Sequence, residues 1–225
     1  EKFSNYFDEI NSFGLTMCPP CINRSEVKFS VSKDEIIFGL GAIKNVGFDS
    51  MSKIVENRKR NGQFIDIFDF ARRVHLKKVG KRPLEMLISS GAFAVFNLGN
   101  AAMLEKLEEL ILYSAACHDE EGSSQVNLFS NSIETINKPE FKSTNSHSLS
   151  MRSKEIYDVT GIYFVSPYKH KPSFYESLGI KEFSTLSNST IEFQSILTAG
   201  FITDLALKTT NNGQQYFLVS LIDHR

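Results

Sequence analysis

The sequence predicts an α+β fold, and three observations support this. Apolar residues recur at helical spacing in several stretches before residue 117. Alternating patterns flank two turn signals, Lys33-Asp34 and Asn211-Asn212-Gly213, which predicts two β-hairpins. The stretch 118–150 between these regions is rich in Ser, Asn, Thr and Glu, which is typical of a flexible linker.

The elements follow in order along the chain. We expect a short helix over residues 1–14, the first hairpin, and then three helices. The first helix carries the apolar set Phe48, Met51, Ile54 and Val55. The second has Pro83 in its first turn and Gly91 just past its end, around Leu84, Leu87 and Ile88. The third starts near Asn100 as an N-cap and carries Met103, Leu107, Leu110 and Ile111. A helical segment over 151–163 and about three strands complete the chain.

Composition narrows the functional class. With 225 residues, 41% of them hydrophobic, the chain can bury one or two cores. No apolar run reaches the roughly 18–20 residues of a membrane span, so we expect no membrane partner. Three cysteines, an odd number, favour a reducing cytoplasm over a disulfide framework. The net charge of −1 is uneven, since residues 24–90 hold fourteen Lys and Arg against eight Asp and Glu.

The cysteine pair in Cys18-Pro-Pro-Cys21 allows two functional interpretations, a redox site or half of a zinc site. Cys117 with His118 is a poor second half, because it lies far along the chain. Two prolines followed by Ile-Asn-Arg-Ser read as a turn, so we favour a structural role and expect no metal site.

The stretch FGLGAIKNVGFDSMSKIVENR carries the strongest chemical signal. A dinucleotide fingerprint fails because its third glycine would fall at Lys44, and no Gly-Lys-Ser/Thr makes it a phosphate-binding P-loop. What remains is a helix-hairpin-helix pattern. Asn45 and Gly47 can take positive φ, so backbone N–H groups would point outward at a helix start, beside Lys44 and Lys53. The plainer alternative is a helical connection in a small bundle.

A second unusual stretch is GSSQVNLFS. Leu128 and Phe129 lie among small polar residues, with no core element nearby, and Gln125 precedes them. An apolar pair in such surroundings suits a pocket on a partner protein. The alternative is that the pair folds back onto the helical domain.

Several strings together resemble one family. CPPCINRSEVKFSV, IIFGLGAIKNVG, ENRKRNGQFIDIFDFARRV, LKKVGKRPLEMLISSGAF and NLGNAAML, with GIYFVSP and KTTNNGQQYFLVSLID further on, are similar to the alpha subunit of bacterial DNA polymerase III. The resemblance implies a helix-hairpin-helix domain with the C-terminal fingers over 1–117, a flexible linker with a clamp-binding motif over 118–150, a connecting helical segment over 151–182, and the start of an OB-type β domain over 183–225. The family usually has Gly, Asp and Asn where this chain has Asn45, Cys21 and Gly80.

The resemblance also implies partners and sites. Duplex primer-template DNA would be held by Lys44, Asn45, Val46, Gly47, Lys53, Lys77, Lys78, Lys81 and Arg82. The sliding clamp (beta subunit) would bind Gln125, Leu128 and Phe129, and other holoenzyme subunits are expected partners in the bacterial cytoplasm. No Asp-x-Asp occurs here, so the resemblance places the catalytic carboxylates of this DNA-directed DNA polymerase, and their Mg²⁺, N-terminal to Glu1. We expect no catalytic residue in this segment.

Two other functions stay open from the sequence. A helix-hairpin-helix DNA repair protein with a clamp peptide would carry a catalytic Lys or Asp beside the hairpin. A thiol redox protein would depend on a lowered pKa at Cys18 or Cys21.

Overall fold

A computed structural model describes residues 10, 13–122, 138–141, 149–164, 172–181, 183 and 195–223. The chain divides into two compact units, Glu1–His147 with Glu155–Phe164, and Ser148–Lys154 with Val165–Arg225. Helices and small sheets make up both, which confirms the α+β class. Among the described residues, no helix is both long and apolar enough to cross a membrane.

A three-stranded sheet lies at the start of the first unit. It consists of β1 (Thr16–Cys18), β2 (Ser30–Ser32) and β3 (Glu35–Ile37), in the order β1-β3-β2. β2 and β3 are antiparallel across the predicted turn, where Lys33 has a φ of 53°. β1 pairs in parallel with β3, which the sequence did not predict, because three residues are too few to show alternation. Of the helix predicted over 1–14, only Ile10 is a described helical residue.

Six α-helices follow between residues 48 and 122, so the last of them extends into the linker predicted over 118–150. They are α1 (Phe48–Asn61), α2 (Ile67–Arg73), α3 (Leu76–Val79), α4 (Lys81–Ser89), α5 (Asn100–Glu105) and α6 (Leu107–Gly122). The predicted third helix is wrong in one respect, since it breaks at Lys106 into α5 and α6. Asn100 is its first helical residue, and Gly99 is the N-cap without a side-chain hydrogen bond. α2 is capped by Asp66, whose carboxylate accepts a hydrogen bond from the backbone N–H of Asp69.

Aromatic rings form the centre of the helical core. Phe64, Phe70 and Phe93 are fully buried, and Phe70 lies 5.1 Å and 5.0 Å from the other two ring centroids at steep interplanar angles. The predicted apolar faces are mostly confirmed, since Met51, Ile54, Val55, Leu84, Leu87, Ile88, Met103, Leu107 and Leu110 are buried. Ile111 is half-buried, and Phe48 is exposed over 52% of its surface.

The next helix is α7 (Leu149–Thr160), whose residues from Glu155 onward belong to the first unit. Val159 and Ile162 belong to the helical core, and the Phe164 ring lies 5.7 Å from that of Phe38. The second unit includes α8 (Pro172–Ser177) and two long strands, β4 (Gly200–Thr209) and β5 (Gln215–Asp223).

The second predicted hairpin is confirmed. β4 and β5 pair antiparallel around the Asn211-Asn212-Gly213 turn, where Gly213 has a φ of 80°. The described part of this unit contains these two strands and an isolated parallel bridge between Lys181 and Thr198, rather than three strands. The OB-type assignment stays a prediction.

Candidate nucleic-acid interface

The turn before α1 is tight because Asn45 has a φ of 58°. Asn tolerates this left-handed conformation better than most residues, so the predicted positive φ of Asn45 is confirmed. The prediction for Gly47 is wrong. Its φ is −80° and its ψ 129°, an extended conformation open to any residue, and it serves as the N-cap of α1.

Two glycines upstream have a packing role. A Cβ at Gly39 would lie 2.5 Å from the carbonyl carbon of Lys28, and one at Gly41 would lie 2.9 Å from the carbonyl oxygen of Val27. The close approach is held by hydrogen bonds from the Leu40 and Gly41 N–H groups to the carbonyls of Glu26 and Val27, both 2.9 Å. The Gly-Leu-Gly sequence therefore fixes the entry to the hairpin.

The backbone N–H groups of the turn fall into two sets. The N–H of Lys44 donates to the carbonyl of Val159 at 2.9 Å, so it is already engaged within the protein. The N–H of Met51 donates to the carbonyl of Gly47 at 3.1 Å and closes the first turn of α1. Within the described part of the chain, the N–H groups of residues 45–50 donate to no acceptor, as is usual at a helix start.

Side-chain charges around this helix start are mixed. The Lys44 ammonium donates to the carbonyl of Asp158 at 2.6 Å, so its side chain and its backbone N–H both contact the C-terminal turn of α7. Lys53 is exposed and forms no ion pair with any described residue. Asp49 lies in the first turn of α1, where its negative charge stabilises the helix through the helix dipole but would repel a bound anion.

A second helix-turn-helix joins α3 to α4 through Gly80. Its φ of 94° and ψ of 150° lie in a region that is nearly exclusive to glycine. Lys77 and Lys78 are exposed on α3 and form no ion pair within the described ranges. Lys81 pairs with Glu108, and Arg82 with Glu85 at 3.3 Å. The hydrogen bond to Glu108 raises the pKa of Lys81 and lowers that of the Glu108 carboxyl.

The surroundings of Cys18 oppose a reactive thiol. Burial, with the neighbouring Glu35 carboxylate, raises the pKa of Cys18, whereas a redox cysteine needs a lowered one. Glu35 itself pairs with Arg24, which lies in the turn after the motif. Among the described residues, no group of three or more His, Cys, Asp or Glu side chains could hold a metal ion. This arrangement favours a structural role for the motif.

The matches to known proteins include the part of the chain that holds the Asn45 turn and the Gly80 turn. A family model described as a helix-hairpin-helix motif matches residues 14–103. The DNA polymerase III subunit alpha of Vibrio cholerae is 31% identical over 99% of this chain, and that of Thermus aquaticus is 30% identical over 99%. The subunit from Caulobacter vibrioides is 34% identical over 57% of the chain.

The chain matches a segment of the DNA polymerase III alpha subunit. It spans 20%, 11% and 18% of the Vibrio, Caulobacter and Thermus proteins, about a fifth of the length of such relatives at most. The family resemblance read from the motifs is confirmed, and the stretch predicted to be a helix-hairpin-helix lies within the residues that the family model matches.

Some of the site residues predicted for this alpha-subunit segment lie within the described part of the chain, and others lie outside it. Gln125, Leu128 and Phe129 lie outside the described residues, so their role in clamp binding stays a prediction. The structure brings Lys44, Asn45, Val46 and Gly47 into one turn, and Lys77, Lys78, Lys81 and Arg82 around another.

Sequence reasoning missed the partner of Lys44. Its two bonds to Asp158 and Val159 connect positions more than a hundred residues apart, and no local pattern indicates them. Gly161, which has a φ of 76°, indicates that α7 ends just before it and that the last carbonyls of the helix are open to donors such as those of Lys44.

Proposed function

We propose that this chain is the part of a replicative DNA polymerase III alpha subunit that holds duplex primer-template DNA and tethers the enzyme to its sliding clamp. The DNA-binding half of this proposal rests on the start of α1 after the Asn45 turn. The backbone N–H groups of residues 45–50 are the donors there, and a helix-hairpin-helix family model matches this part of the chain. Such donors suit phosphate oxygens and carry no sequence preference.

We propose fewer DNA-contacting residues than the sequence alone suggests. We assign phosphate contact to the N–H groups of Asn45, Val46 and Gly47, and charge to Lys53, Lys77 and Lys78. Lys44 supports the turn from behind through α7. Lys81 and Arg82 would have to exchange their carboxylate partners for phosphate, so we expect them to add less.

The proposal also includes the polymerase activity of the whole subunit. The relatives named DNA polymerase III subunit alpha are about five times longer than this chain, and we place the Mg²⁺-dependent nucleotidyl transfer in the parts of the subunit outside it. The side chains described here do not fit a two-metal site. The β4–β5 hairpin would be the start of an OB-type domain, and the protein would work in the bacterial cytoplasm with the other holoenzyme subunits.

The first prediction tests DNA binding. We expect the triple variant Lys53→Ala, Lys77→Ala, Lys78→Ala to bind duplex DNA at least about tenfold more weakly at low salt. Each lost phosphate contact should also reduce the slope of log K against log salt concentration by about 0.9. Fluorescence anisotropy with a labelled duplex at several salt concentrations measures both quantities.

The matched control changes two cations at the opposite end of α1. Lys59→Ala with Arg60→Ala removes charge from the same helix but far from its N-terminus, and we expect a smaller loss with little change in slope. Asp49→Asn should strengthen binding, because it removes a negative charge from the first turn. Losses of binding free energy in proportion to the charges removed, three against two, would show that binding follows net charge alone.

The second prediction tests the clamp tether. Leu128→Ala with Phe129→Ala should abolish binding to the sliding clamp, since two buried anchors contribute about 3–6 kcal/mol before ordering costs. The melting temperature should change little, because a docking peptide has no role in the core. Val126→Ala is the control, with nearly unchanged binding. A titration of the clamp beside calorimetry separates the outcomes, and a large fall in melting temperature with intact clamp affinity would refute the tether.

A further inference from the structure

The C-terminal end of α7 contacts the Asn45 turn through two hydrogen bonds from one residue. The carbonyl of Val159 accepts the backbone N–H of Lys44 at 2.9 Å, and the carbonyl of Asp158 accepts the Lys44 ammonium at 2.6 Å. The last carbonyls of a helix have no partner within the helix and carry the negative end of its dipole. Lys44 therefore caps α7 from a position 114 residues away from Asp158 in the chain.

This end of α7 is held in place by contacts within the first unit. Thr160 is buried, and its hydroxyl donates to the carbonyl of Ile156 at 2.7 Å and accepts the N–H of Ile162 at 3.2 Å. Val159 and Ile162 both belong to the hydrophobic core. The two carbonyls that accept from Lys44 thus lie on a packed and hydrogen-bonded helix end, which is a firm support for the turn.

The segment after α7 also contacts the entry to the hairpin. The Phe164 ring lies 5.7 Å from the Phe38 ring at an interplanar angle of 86°. Phe38 is buried and directly precedes Gly39. Residues 158–164 therefore contact the chain on both sides of the Gly-Leu-Gly sequence, before it at Phe38 and after it at Lys44.

The contacts of Lys44 bear directly on the N–H groups that follow it. The Lys44 N–H is engaged by Val159, whereas those of Asn45, Val46 and Gly47 donate to no acceptor in the described part of the chain. Only two soft dihedral angles separate the Lys44 peptide from the Asn45 N–H, because each peptide unit is planar. Fixing Lys44 through both its backbone and its side chain therefore fixes the direction of the next donor.

We propose that Lys44 is a positioning residue for DNA binding, and that residues 158–161 at the end of α7 are its support. Lys44 directs the N–H groups of Asn45, Val46 and Gly47 at a phosphate of the duplex without contacting that phosphate itself. The DNA part of this inference rests on the proposed function, whereas the support of the turn by α7 rests on the contacts alone.

Lys44→Met tests the role of the ammonium group. We expect duplex DNA to bind about three- to tenfold more weakly, with a slope of log K against log salt concentration within about 0.3 of the parent value, because a residue without a phosphate contact releases no counterion. Lys53→Met is the matched variant and should lower the slope by about 0.9. Lys44→Arg should bind like the parent chain, since a guanidinium can also donate to the Asp158 carbonyl. Fluorescence anisotropy well below the melting temperature measures affinity and slope on folded protein.

Gly161→Ala tests the support without changing any charge. Gly161 has a φ of 76°, and a Cβ there would meet nothing within 4 Å, so alanine strains only the backbone. We expect about threefold weaker DNA binding and faster hydrogen exchange of the Lys44 amide, because the bond to Val159 opens more often. Gly161→Asn should bind within about twofold of the parent chain, since Asn tolerates positive φ.

Gly14→Ala is the control for strain elsewhere in the same unit. Gly14 has a φ of 72°, and a Cβ there would also meet nothing within 4 Å. We expect its alanine variant to leave both DNA affinity and the exchange of the Lys44 amide unchanged. Equal losses of affinity in Gly161→Ala and Gly14→Ala would attribute the effect to general destabilisation and overturn the positioning role.

The remaining outcomes separate the positioning role from the proposed function. A slope lower by about 0.9 in Lys44→Met would show a direct phosphate contact and overturn the inference. Parent-like affinity in both Lys44→Met and Gly161→Ala would overturn it as well. Amide exchange without DNA measures the Lys44–Val159 contact independently. If the parent chain bound no duplex while this amide exchanged slowly in the parent and fast in Gly161→Ala, the proposed DNA binding would be refuted and the support by α7 would stand.

Discussion

Gly39→Ala is expected to lower the free energy of unfolding by about 2–4 kcal/mol, the cost of forcing a side chain into a closed space. The new Cβ would lie 2.5 Å from the carbonyl carbon of Lys28 and 2.7 Å from both the nitrogen of Phe29 and the oxygen of Val27. All three are backbone atoms, which cannot rotate away. The φ of Gly39 is −76°, so its conformation suits alanine and only the contact is unfavourable.

The clash would also separate two segments that hydrogen bonds join. The Leu40 and Gly41 N–H groups donate to the carbonyls of Glu26 and Val27, and opening this contact would move the entry to the Asn45 turn. We therefore expect weaker DNA binding in Gly39→Ala even under conditions where it stays folded. Urea denaturation gives the stability, and anisotropy at low temperature gives the affinity.

Gly99→Ala is the control for this prediction. A Cβ at Gly99 meets nothing within 4 Å, and its φ of −67° is open to alanine. We expect a change below about 1 kcal/mol, from its N-cap position alone. If both alanine variants were equally stable, the close approach of the backbone at Gly39 would not contribute to the free energy of unfolding, and this prediction would be wrong.

Arg58→Met is expected to cost about 3–5 kcal/mol, because it removes one partner of a buried polar network. Arg58 is only 7% exposed, and one guanidinium nitrogen donates to the carbonyls of Ile22 and Ser25 at 2.8 Å and 2.6 Å. The other donates to the Glu26 carboxylate at 3.2 Å. Methionine fills much of the volume but leaves both carbonyls without these donors.

The conservative variant and the controls sharpen this prediction. Arg58→Lys keeps the charge but lacks the fork that reaches several acceptors, so we expect an intermediate loss. Desolvation lowers the pKa of Arg58, yet a guanidinium stays charged at neutral pH, so the loss should not vary between about pH 6 and 8. Arg60→Met, exposed on the same helix, should change stability by less than about 0.5 kcal/mol. Equal effects at positions 58 and 60, measured by thermal denaturation, would contradict the assigned role of Arg58.

The sequence located the elements whose signals are local. Hairpins at Lys33-Asp34 and Asn211-Asn212-Gly213 and the helix around Leu84 all appear where their turn and spacing signals indicate them. The helix-hairpin-helix pattern and the family resemblance were also readable, because each depends on residues close together in the chain. The break at Lys106 was not, since the apolar spacing continues across it.

The sequence by itself determined the α+β class, the hairpin turn and the family, because short-range backbone preferences and hydrophobic periodicity encode them. Tertiary structure alone decided which of the predicted donor groups are engaged within the protein. It engaged Lys44 with α7, put Gly47 in an extended conformation and paired Lys81 with Glu108. It also brought Phe141 to Phe68 across a polar stretch. Such contacts join residues distant in the chain, so they depend on how the elements pack, which no local pattern specifies.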